Sequence, residues 1–551
     1  MPSSGRVAFI SQSGALGTAM LDWSIENGVG FSYFISIGSM IDVDFNDLIE
    51  YLGNDPNTSG IILYMESLAD SQRFVNVCKE VVKKKPILTL KVGKTAEGAN
   101  AAKSHTGSIA GNDAIFDVAF KAAGIVRLTT IEEMLNCFEF LSMHDSPKGE
   151  NIAILTNAGG PGVVATDMLV SQNGKLAKLS ASTIEELNKV LPAFWSHGNP
   201  IDVLGDAPPE RYKQALDIIV KDANIDSILV IVTPQAMTNP EGVARELVSA
   251  YKADKTVVAS FIGGHDVSKA KPVLEKGKIP FYETPEEALD CLISLSEYQK
   301  KKSINVIPDK PFNFKADKKK AESLIQFAVS EGRKSLSEDE AKKVLSCYGI
   351  DSPKVEIAKK KSDISKIVSK LDFPIVMKIL SPDILHKTDI GGVVLNINSK
   401  KEAEAAFDNI LKSVKKKMPA ARIDGILVEE MIKRNYELLF GSKKDPLFGR
   451  VIVFGMGGTA VELYKDTAIE LPPITMQKAK TMIDSTKIGK LMSGYRGMKS
   501  ADINLIQQLF CQFAKLLEDF PQIKEIDINP LAIAVDKTTK AAVLDAKILL
   551  E

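Results

Sequence analysis

Five cysteines, five histidines and two tryptophans in 551 residues are few, and each scarcity removes a class of protein. Cys78, Cys137, Cys291, Cys347 and Cys511 are odd in number, widely spaced and never at Cys-x-x-Cys separation. That spacing excludes a disulfide framework and a thiolate zinc site, and leaves packing thiols in a reducing compartment. No run reaches the roughly 18 apolar residues of a membrane helix, and the longest uncharged stretch, Asn151 to Thr166, is broken by Asn, Gly and Pro. No membrane partner is expected. Met1-Pro2-Ser3-Ser4-Gly5 has neither the charged nor the apolar region of a signal peptide, so the expected location is cytoplasmic. Charge of one sign is also missing: 69 Lys+Arg against 70 Asp+Glu leaves a net charge of −1, which argues against nucleic acid as a partner.

The length is enough for three or four domains at roughly 150 residues each. Short apolar runs alternate with longer amphipathic stretches: Val7 to Ile10, Gly60 to Tyr64, Pro86 to Lys91, Ile152 to Thr156, Ser227 to Val232 and Val257 to Ile262. This alternation predicts α/β architecture with parallel sheets. Val7-Ala8-Phe9-Ile10-Ser11-Gln12-Ser13-Gly14 lines up with Ile152-Ala153-Ile154-Leu155-Thr156-Asn157-Ala158-Gly159, so two related domains, 1–145 and 146–300, stand in tandem. The stretch 301–324 is rich in lysine and reads as a linker. Beyond it, 325–551 forms a separate unit in which Ser337-Glu338-Asp339-Glu340 has the pattern of a helix cap and acidic first turn.

Each tandem domain runs from its first strand through a small, Gly-containing turn into a helix, at Ser11, Ser13 and Gly14 and at Asn157, Gly159 and Gly160. Backbone N–H groups at such a turn favour an anion, although a Gly-rich strand-to-helix turn is as often only close packing. The second turn, Gly159-Gly160-Pro161-Gly162, has neither the Lys-Ser/Thr ending of a P-loop nor the spacing of a dinucleotide fingerprint, so NAD is disfavoured. His105 and His386 lie in polar, small-residue loops suited to exposure. A neutral imidazole attacks phosphorus without first losing a proton, and Glu66, after the strand Gly60 to Met65, is a candidate carboxylate to orient His105. The bland alternative is a solvated loop histidine. His144, His197 and His265 carry no comparable context, and no His or Cys spacing at His105 suits a metal. In the last unit, Lys378 ends a strand and can hold nucleotide phosphates. Glu429-Glu430-Met431 ends another and can hold a purine and ribose, and Asn529 with Asp545 on neighbouring strands can ligate Mg²⁺.

Taken together, these motifs resemble the ADP-forming (NDP-forming) acetate–CoA ligases, acyl-CoA synthetases related to succinyl-CoA synthetase, over nearly the whole chain. The most specific matches are Ser104-His105-Thr106-Gly107, Asn199-Pro200-Ile201-Asp202, Ser381 to Val393 with its Gly391 and Gly392, Glu525 to Leu531, and Val543 to Lys547. The resemblance implies two flavodoxin-like, succinyl-CoA synthetase-like domains followed by an ATP-grasp domain. It also implies a reaction in steps, in which acyl-CoA and phosphate give acyl phosphate and CoA, His105 takes the phosphoryl group, and ADP receives it. His386 matches a second histidine carrier near the nucleotide, with Gly391 and Gly392 in the same nucleotide loop. Acetate or another acyl group, CoA, nucleotide and phosphate are then the small-molecule substrates, and a homo-oligomer is the expected assembly.

Two departures from the family pattern bear on this reading. Relatives complete in one chain begin with a further CoA-binding domain, and this sequence starts where that domain should end. A fragment, a mis-started reading frame and a form that receives its CoA domain in trans all meet that description. Relatives also commonly carry arginine at the position of Glu470, where an acid would repel a phosphate. Two other readings remain at this stage: an ATP-grasp carboxylate ligase with a non-CoA acceptor, and a non-catalytic regulatory descendant.

Overall fold

The apolar runs become buried parallel strands. In the computed structural model, which describes residues 2–551 apart from 96, 99–111, 252–254, 305–311, 385–386, 459–460, 465 and 536–540, the chain divides into two compact units, Met1–Pro308 and Asp309–Glu551. The first unit opens with β1 (Ser4–Ser11), β2 (Phe31–Ser36), β3 (Gly60–Met65), β4 (Ile87–Lys91) and β5 (Val126–Leu128), all parallel and in the order β2-β1-β3-β4-β5. Val7, Ala8, Phe9 and Ile10 are fully buried, as a strand covered by helices on both faces requires. Strand order reverses between β1 and β3, which opens a crevice at the carboxyl ends of those two strands.

The second sheet repeats the plan. β6 (Asn151–Thr156), β7 (Lys175–Leu176), β8 (Ile201–Asp202), β9 (Ser227–Val232), β10 (Thr256–Phe261) and β11 (Phe281–Tyr282) run in the order β11-β10-β9-β6-β7, with β8 also on β6. All pairings are parallel, and the corresponding crevice lies between β6 and β9. The helix Pro285–Ile304 ties the two sheets' layers together: Tyr298 donates to Val82 O at 2.9 Å and Ser294 to Glu133 at 2.7 Å.

The second unit contains two antiparallel sheets. The smaller comprises β12 (Val355–Ala358), β13 (Ile375–Leu380), β14 (Val393–Ile397) and β15 (Gly425–Glu430), in the order β12-β15-β13-β14. The larger has β16 (Tyr436–Asp445), β17 (Gly449–Met456), β18 (Thr467–Glu470), β19 (Ile523–Ile533) and β20 (Ala541–Val543), in the order β18-β17-β16-β19-β20, with β21 (Ala546–Leu550) also on β19. Period-2 alternation separates their faces: Ile375, Met377 and Ile379 enter one apolar core, while Val376, Lys378 and Leu380 face the other way.

The Lys-rich stretch 301–324 departs from a plain linker. Lys301 and Lys302 lie in the last turn of the helix Pro285–Ile304, and Lys318 opens the helix Lys318–Ser330 under an Asp317 cap. Ala321, Ile325 and Ala328, at helical spacing, are buried in the core of the second unit, so this helix belongs to that unit and its lysines form a solvated face. The helix Glu338–Ser346 begins with the expected cap, a reciprocal pair between Ser337 and Glu340. All five cysteines are buried thiols, as their spacing suggests. Among the described residues no helix is long and apolar enough to cross a membrane.

Candidate active site

The two strand-to-helix turns have the same construction. Ser13 N–H donates to Ser11 Oγ at 3.0 Å, and that hydroxyl donates on to Ser13 O at 2.8 Å. Ala158 N–H and Thr156 Oγ1 repeat the exchange at 3.0 Å in both directions. The residue between is spent holding the crevice together. Gln12 Oε1 accepts from the N–H of Glu66 at 2.6 Å and of Ser67 at 3.0 Å; Asn157 Oδ1 accepts from Thr233 N–H at 2.9 Å, while its amide donates to Thr233 O at 2.9 Å. Each strap joins the first strand to its neighbour across the reversal point. Among the described residues a Cβ built on exposed Gly14 or Gly160 meets nothing within 4 Å, which leaves room at both helix starts for a ligand the size of phosphate.

These contacts correct part of the sequence reading. Ser11 and Asn157 are buried and their side chains are committed to the turns, so they shape the cradles and offer no group to an anion; Ser13 Oγ caps Leu16 N–H at 3.3 Å. The backbone at Gly14, Gly159 and Gly160 is what remains open. Glu66 stands at the carboxyl end of β3, and among the described residues its buried Oε2 has no hydrogen-bond partner. A carboxylate oxygen in that condition is costly unless a donor arrives. His105 falls outside the described residues, as does His386.

In the second unit three lysines and three carboxylates converge where the two sheets face each other. Lys378 Nζ lies 3.2 Å from Glu429 Oε2, 3.5 Å from Glu338 Oε1 and 2.5 Å from Leu544 O. Lys342 Nζ bridges Glu429 at 2.6 Å and Glu338 at 2.9 Å. Lys387 Nζ is 2.6 Å from Glu338 Oε2 and 3.2 Å from both oxygens of Asp545. Side-chain exposure is 3% at Glu338 and 41% at Asp545, so the cluster is closed at one end and open at the other. Burial opposes the charge on Lys378, but Glu338, Glu429 and Asp545 outweigh it and raise its pKa. Burial likewise opposes ionisation of Glu338, and Lys378, Lys342 and Lys387 hold its carboxyl well below the usual range. Lys378 and Lys387 are therefore held as cations and Glu338 as an anion, and a cation held in this way has the chemistry to meet phosphate oxygens.

The expected nucleotide residues divide accordingly. Glu429 is buried against Lys342 and Lys378; Glu430, on the opposite face of β15, accepts from Asp372 N–H at 3.2 Å. Neither is free for ribose. Met431 donates its N–H to Pro374 O at 2.9 Å and, with Ile432, Lys433, Arg434, Lys499 and Val535, lines a cleft of about 660 Å³ at the segment joining the two sheets. Gly391 and Gly392 hold the loop in place. Gly391 has φ +71° and a Cβ there would come within 2.6 Å of Ser413 Oγ; one on Gly392 would come within 2.6 Å of Ile379 Cγ2. Their N–H groups go to Thr388 O and Lys387 O, so they pack the Lys387 turn against β13 and leave no amide for a phosphate.

Asn529 and Asp545 lie together, with Asn529 N–H 3.2 Å from Asp545 O. Asn529 Oδ1 accepts from Gly458 N–H at 2.7 Å, and an ammonium already sits on the Asp545 carboxylate. Hard oxygen donors beside a stand-in cation fit Mg²⁺. Among the described residues no group of three or more His, Cys, Asp or Glu side chains is arranged for a metal, so water and phosphate oxygens would complete the shell. Glu470 is on the far face of its sheet: on β18 it pairs in register with Ile452 of the apolar core, and its carboxylate lies 3.6 Å from Lys478 and accepts from Leu471 N–H at 3.0 Å. It is a structural ion-pair residue, remote from the lysine cluster's face.

Sequence reasoning passed over Lys387, Glu338, Lys342 and Lys91. Lys387 adjoins His386 in the most specific motif, the one signal that points to it. Glu338 reads from sequence as an ordinary first-turn acid. Lys91, at the end of β4, is buried under Phe116 with its ammonium 4.6 Å from the ring centre, and burial pushes its pKa down to about 8.

Comparison with known proteins agrees with this architecture. Residues 4–141 match the succinyl-CoA ligase like flavodoxin domain, 152–308 the ligase-CoA domain and 327–550 an ATP-grasp domain. The chain is 38% identical to an ADP-forming acetate–CoA ligase I of Archaeoglobus fulgidus, over 97% of this chain and 76% of that protein. It is 36% identical to an ADP-forming 4-hydroxybutyrate–CoA ligase of Nitrosopumilus maritimus, over 99% and 78%. A dinucleotide-forming acetyl-coenzyme A synthetase 1 of Ca. Korarchaeum cryptofilum, solved with phosphate and ADP, superposes with a TM-score of 0.52 at 39% identity, over 54% of this chain and 66% of that one. On its sequence, its domain order and its fold, the chain belongs to the ADP-forming acetate–CoA ligase family, relatives of succinyl-CoA ligase.

Proposed function

We propose that the chain carries the phosphoryl-transfer machinery of an ADP-forming acyl-CoA ligase, interconverting acyl-CoA, ADP and phosphate with a carboxylic acid, CoA and ATP in the cytoplasm. The observation that carries this reading is the buried lysine–carboxylate cluster, which keeps Lys378 and Lys387 charged and fixed. A phosphoryl donor with three or four negative charges is what such a site is built to accept. In the direction of ATP synthesis, a phosphate oxygen attacks the thioester carbonyl and CoA leaves as thiolate. A ring nitrogen of His105 then attacks the phosphorus of the acyl phosphate, the P–O bond breaks and the carboxylate departs with the electron pair. A terminal oxygen of ADP finally takes the phosphoryl group from His105.

The residues of the first unit bind and orient. The backbone at Gly14 and at Gly159-Gly160 receives phosphate oxygens by fixed dipoles that need no reorganisation. The unpartnered Oε2 of Glu66 accepts an imidazole N–H, fixing the tautomer and balancing the charge that develops on the ring. In the second unit Lys378 and Lys387 hold the nucleotide phosphates, Met431 borders the base, and His386 acts as a second carrier near the nucleotide. Asn529 and Asp545 would hold Mg²⁺, which when bound neutralises charge on the transferring group. A second copy of the chain is the partner this reading assigns. The test is exchange of labelled ADP into ATP by the purified chain. Exchange in wild type and its loss in His105→Ala support the relay; equal exchange in both refutes it.

A further inference from the structure

Lys387 and Lys378 are held differently, and the difference points to a device for coupling metal and nucleotide. Among the described residues the charged partners of Lys378, Glu338 and Glu429, are both buried, and it also donates to Leu544 O. Lys387 has one buried partner, Glu338, and one open to solvent, Asp545, whose two oxygens it contacts symmetrically at 3.2 Å. A cation equidistant from both oxygens of a carboxylate, at the mouth of the cluster, occupies the position a divalent ion would take. The charges balance without any ligand, with Lys342, Lys378 and Lys387 against Glu338, Glu429 and Asp545.

We infer that Lys387 stands where a metal ion would meet Asp545, is displaced from that carboxylate when Mg²⁺ arrives and passes to the nucleotide phosphates. The inference rests on the reading of Asp545 as a metal ligand. The exchange is one of ionic contacts, with no bond made or broken. Metal alone would add two positive charges to a neutral cluster beside a displaced ammonium, so it binds poorly; metal with a nucleoside diphosphate brings compensating negative charge, and the released ammonium gains phosphate oxygens in place of a carboxylate. Lys387 is thus a positioning residue toward the metal and a contact residue toward the nucleotide. Gly391 and Gly392 anchor the backbone of its turn against β13, so the exchange is confined to the long, flexible side chain.

The prediction has opposite signs for the two ligands. Mn²⁺ binding to the nucleotide-free chain, followed by loss of the free-ion paramagnetic resonance signal, tightens roughly tenfold or more in Lys387→Met, as removal of one charged contact allows. ADP binding, measured calorimetrically with Mg²⁺ present, weakens by a similar factor. Lys387→Gln gives the same pair of shifts, and an unchanged circular dichroism spectrum certifies the fold of either variant. A lysine that merely supports the structure would weaken both ligands, and that result overturns the inference. Asp545→Asn separates the levels: if it abolishes Mn²⁺ binding while Lys387→Met leaves Mn²⁺ affinity unchanged, the displacement idea alone fails; if Mn²⁺ binds Asp545→Asn as tightly as wild type, the metal-ligand reading fails with it.

Discussion

Replacing Lys342 by Met keeps an unbranched stem of similar length and deletes one cation from a cluster closed to water. The ammonium is 2% exposed and bonded to Glu338 at 2.9 Å and Glu429 at 2.6 Å. Its loss leaves three carboxylates facing two lysines. Breaking a buried pair by removing one partner costs about 3–5 kcal/mol, because the other charge stays buried without compensation. The neighbouring Lys343, paired with Asp339 but 55% exposed, is the control: such pairs are worth about 0.2–1 kcal/mol. For a domain of this size each kcal/mol moves the midpoint by roughly 2–4 °C, so the unfolding transition of the second unit should fall by roughly 6–20 °C in Lys342→Met and by only a few degrees in Lys343→Met. The sign of the pH dependence follows. Lys342 is one of the charges that hold the Glu338 carboxyl low, so in the variant that depression shrinks and less stability is lost as pH falls than in the wild type. Adding Glu429→Gln restores two against two and should recover part of the loss. Thermal unfolding by circular dichroism reads all three variants. Equal midpoints for Lys342→Met and Lys343→Met, or a double variant as unstable as the two single losses summed, would refute the reasoning.

Other consequences are as direct. Burial pushes the Glu139 carboxyl up to about 7 from 4.5, with Lys271 opposing; because the folded state holds its proton longer, that group's penalty is absent below the unfolded value and grows as pH rises to about 7. Glu139→Gln should therefore stabilise the first unit at pH 8 by up to ~3 kcal/mol and by little at pH 4.5; the same gain at both pH values would contradict the assignment. Gly14→Ala and Gly160→Ala put a methyl group into open space, so thermal stability should hold or rise slightly while phosphate-dependent turnover falls; unchanged turnover would show that the turns bind no anion. Glu66→Gln should leave the midpoint within about 1 kcal/mol yet slow labelling of the chain by ATP, whereas a large loss of stability with normal labelling would make Glu66 structural. With every cysteine buried, the native chain should resist Ellman's reagent and all five thiols should react on denaturation; fast reaction of any thiol in the native state would contradict the packing role.

Local pattern carried the fold well. The duplicated segments Val7 to Gly14 and Ile152 to Gly159 became β1 and β6 with matching turns, down to a hydroxyl at Ser11 and Thr156 folding back on the N–H two residues on. The helix start at Ser337 to Glu340 was equally legible, since capping is settled within four residues. The Lys-rich stretch was misleading because exposed charge outnumbers the buried stripe of Ala321, Ile325 and Ala328. Within the site, residue types survived better than roles. Glu429 and Lys378 meet in one buried cluster, but only tertiary structure brings Glu338 and Lys342 to them over separations of 40 to 87 positions. Gly391 and Gly392 look alike from sequence whether they bind phosphate or pack a turn; the neighbours at Ser413 and Ile379 decide it.

The central claim is that a phosphoryl group passes between nucleotide and His105. Intact-protein mass measurement after incubation with Mg²⁺ and ATP, followed by peptide mapping under alkaline conditions, tests it most directly. The account predicts one added phosphoryl group on His105, discharged by ADP and absent from His105→Ala. A chain that binds ATP but gains no phosphoryl group, or gains one that ADP cannot remove, would contradict it.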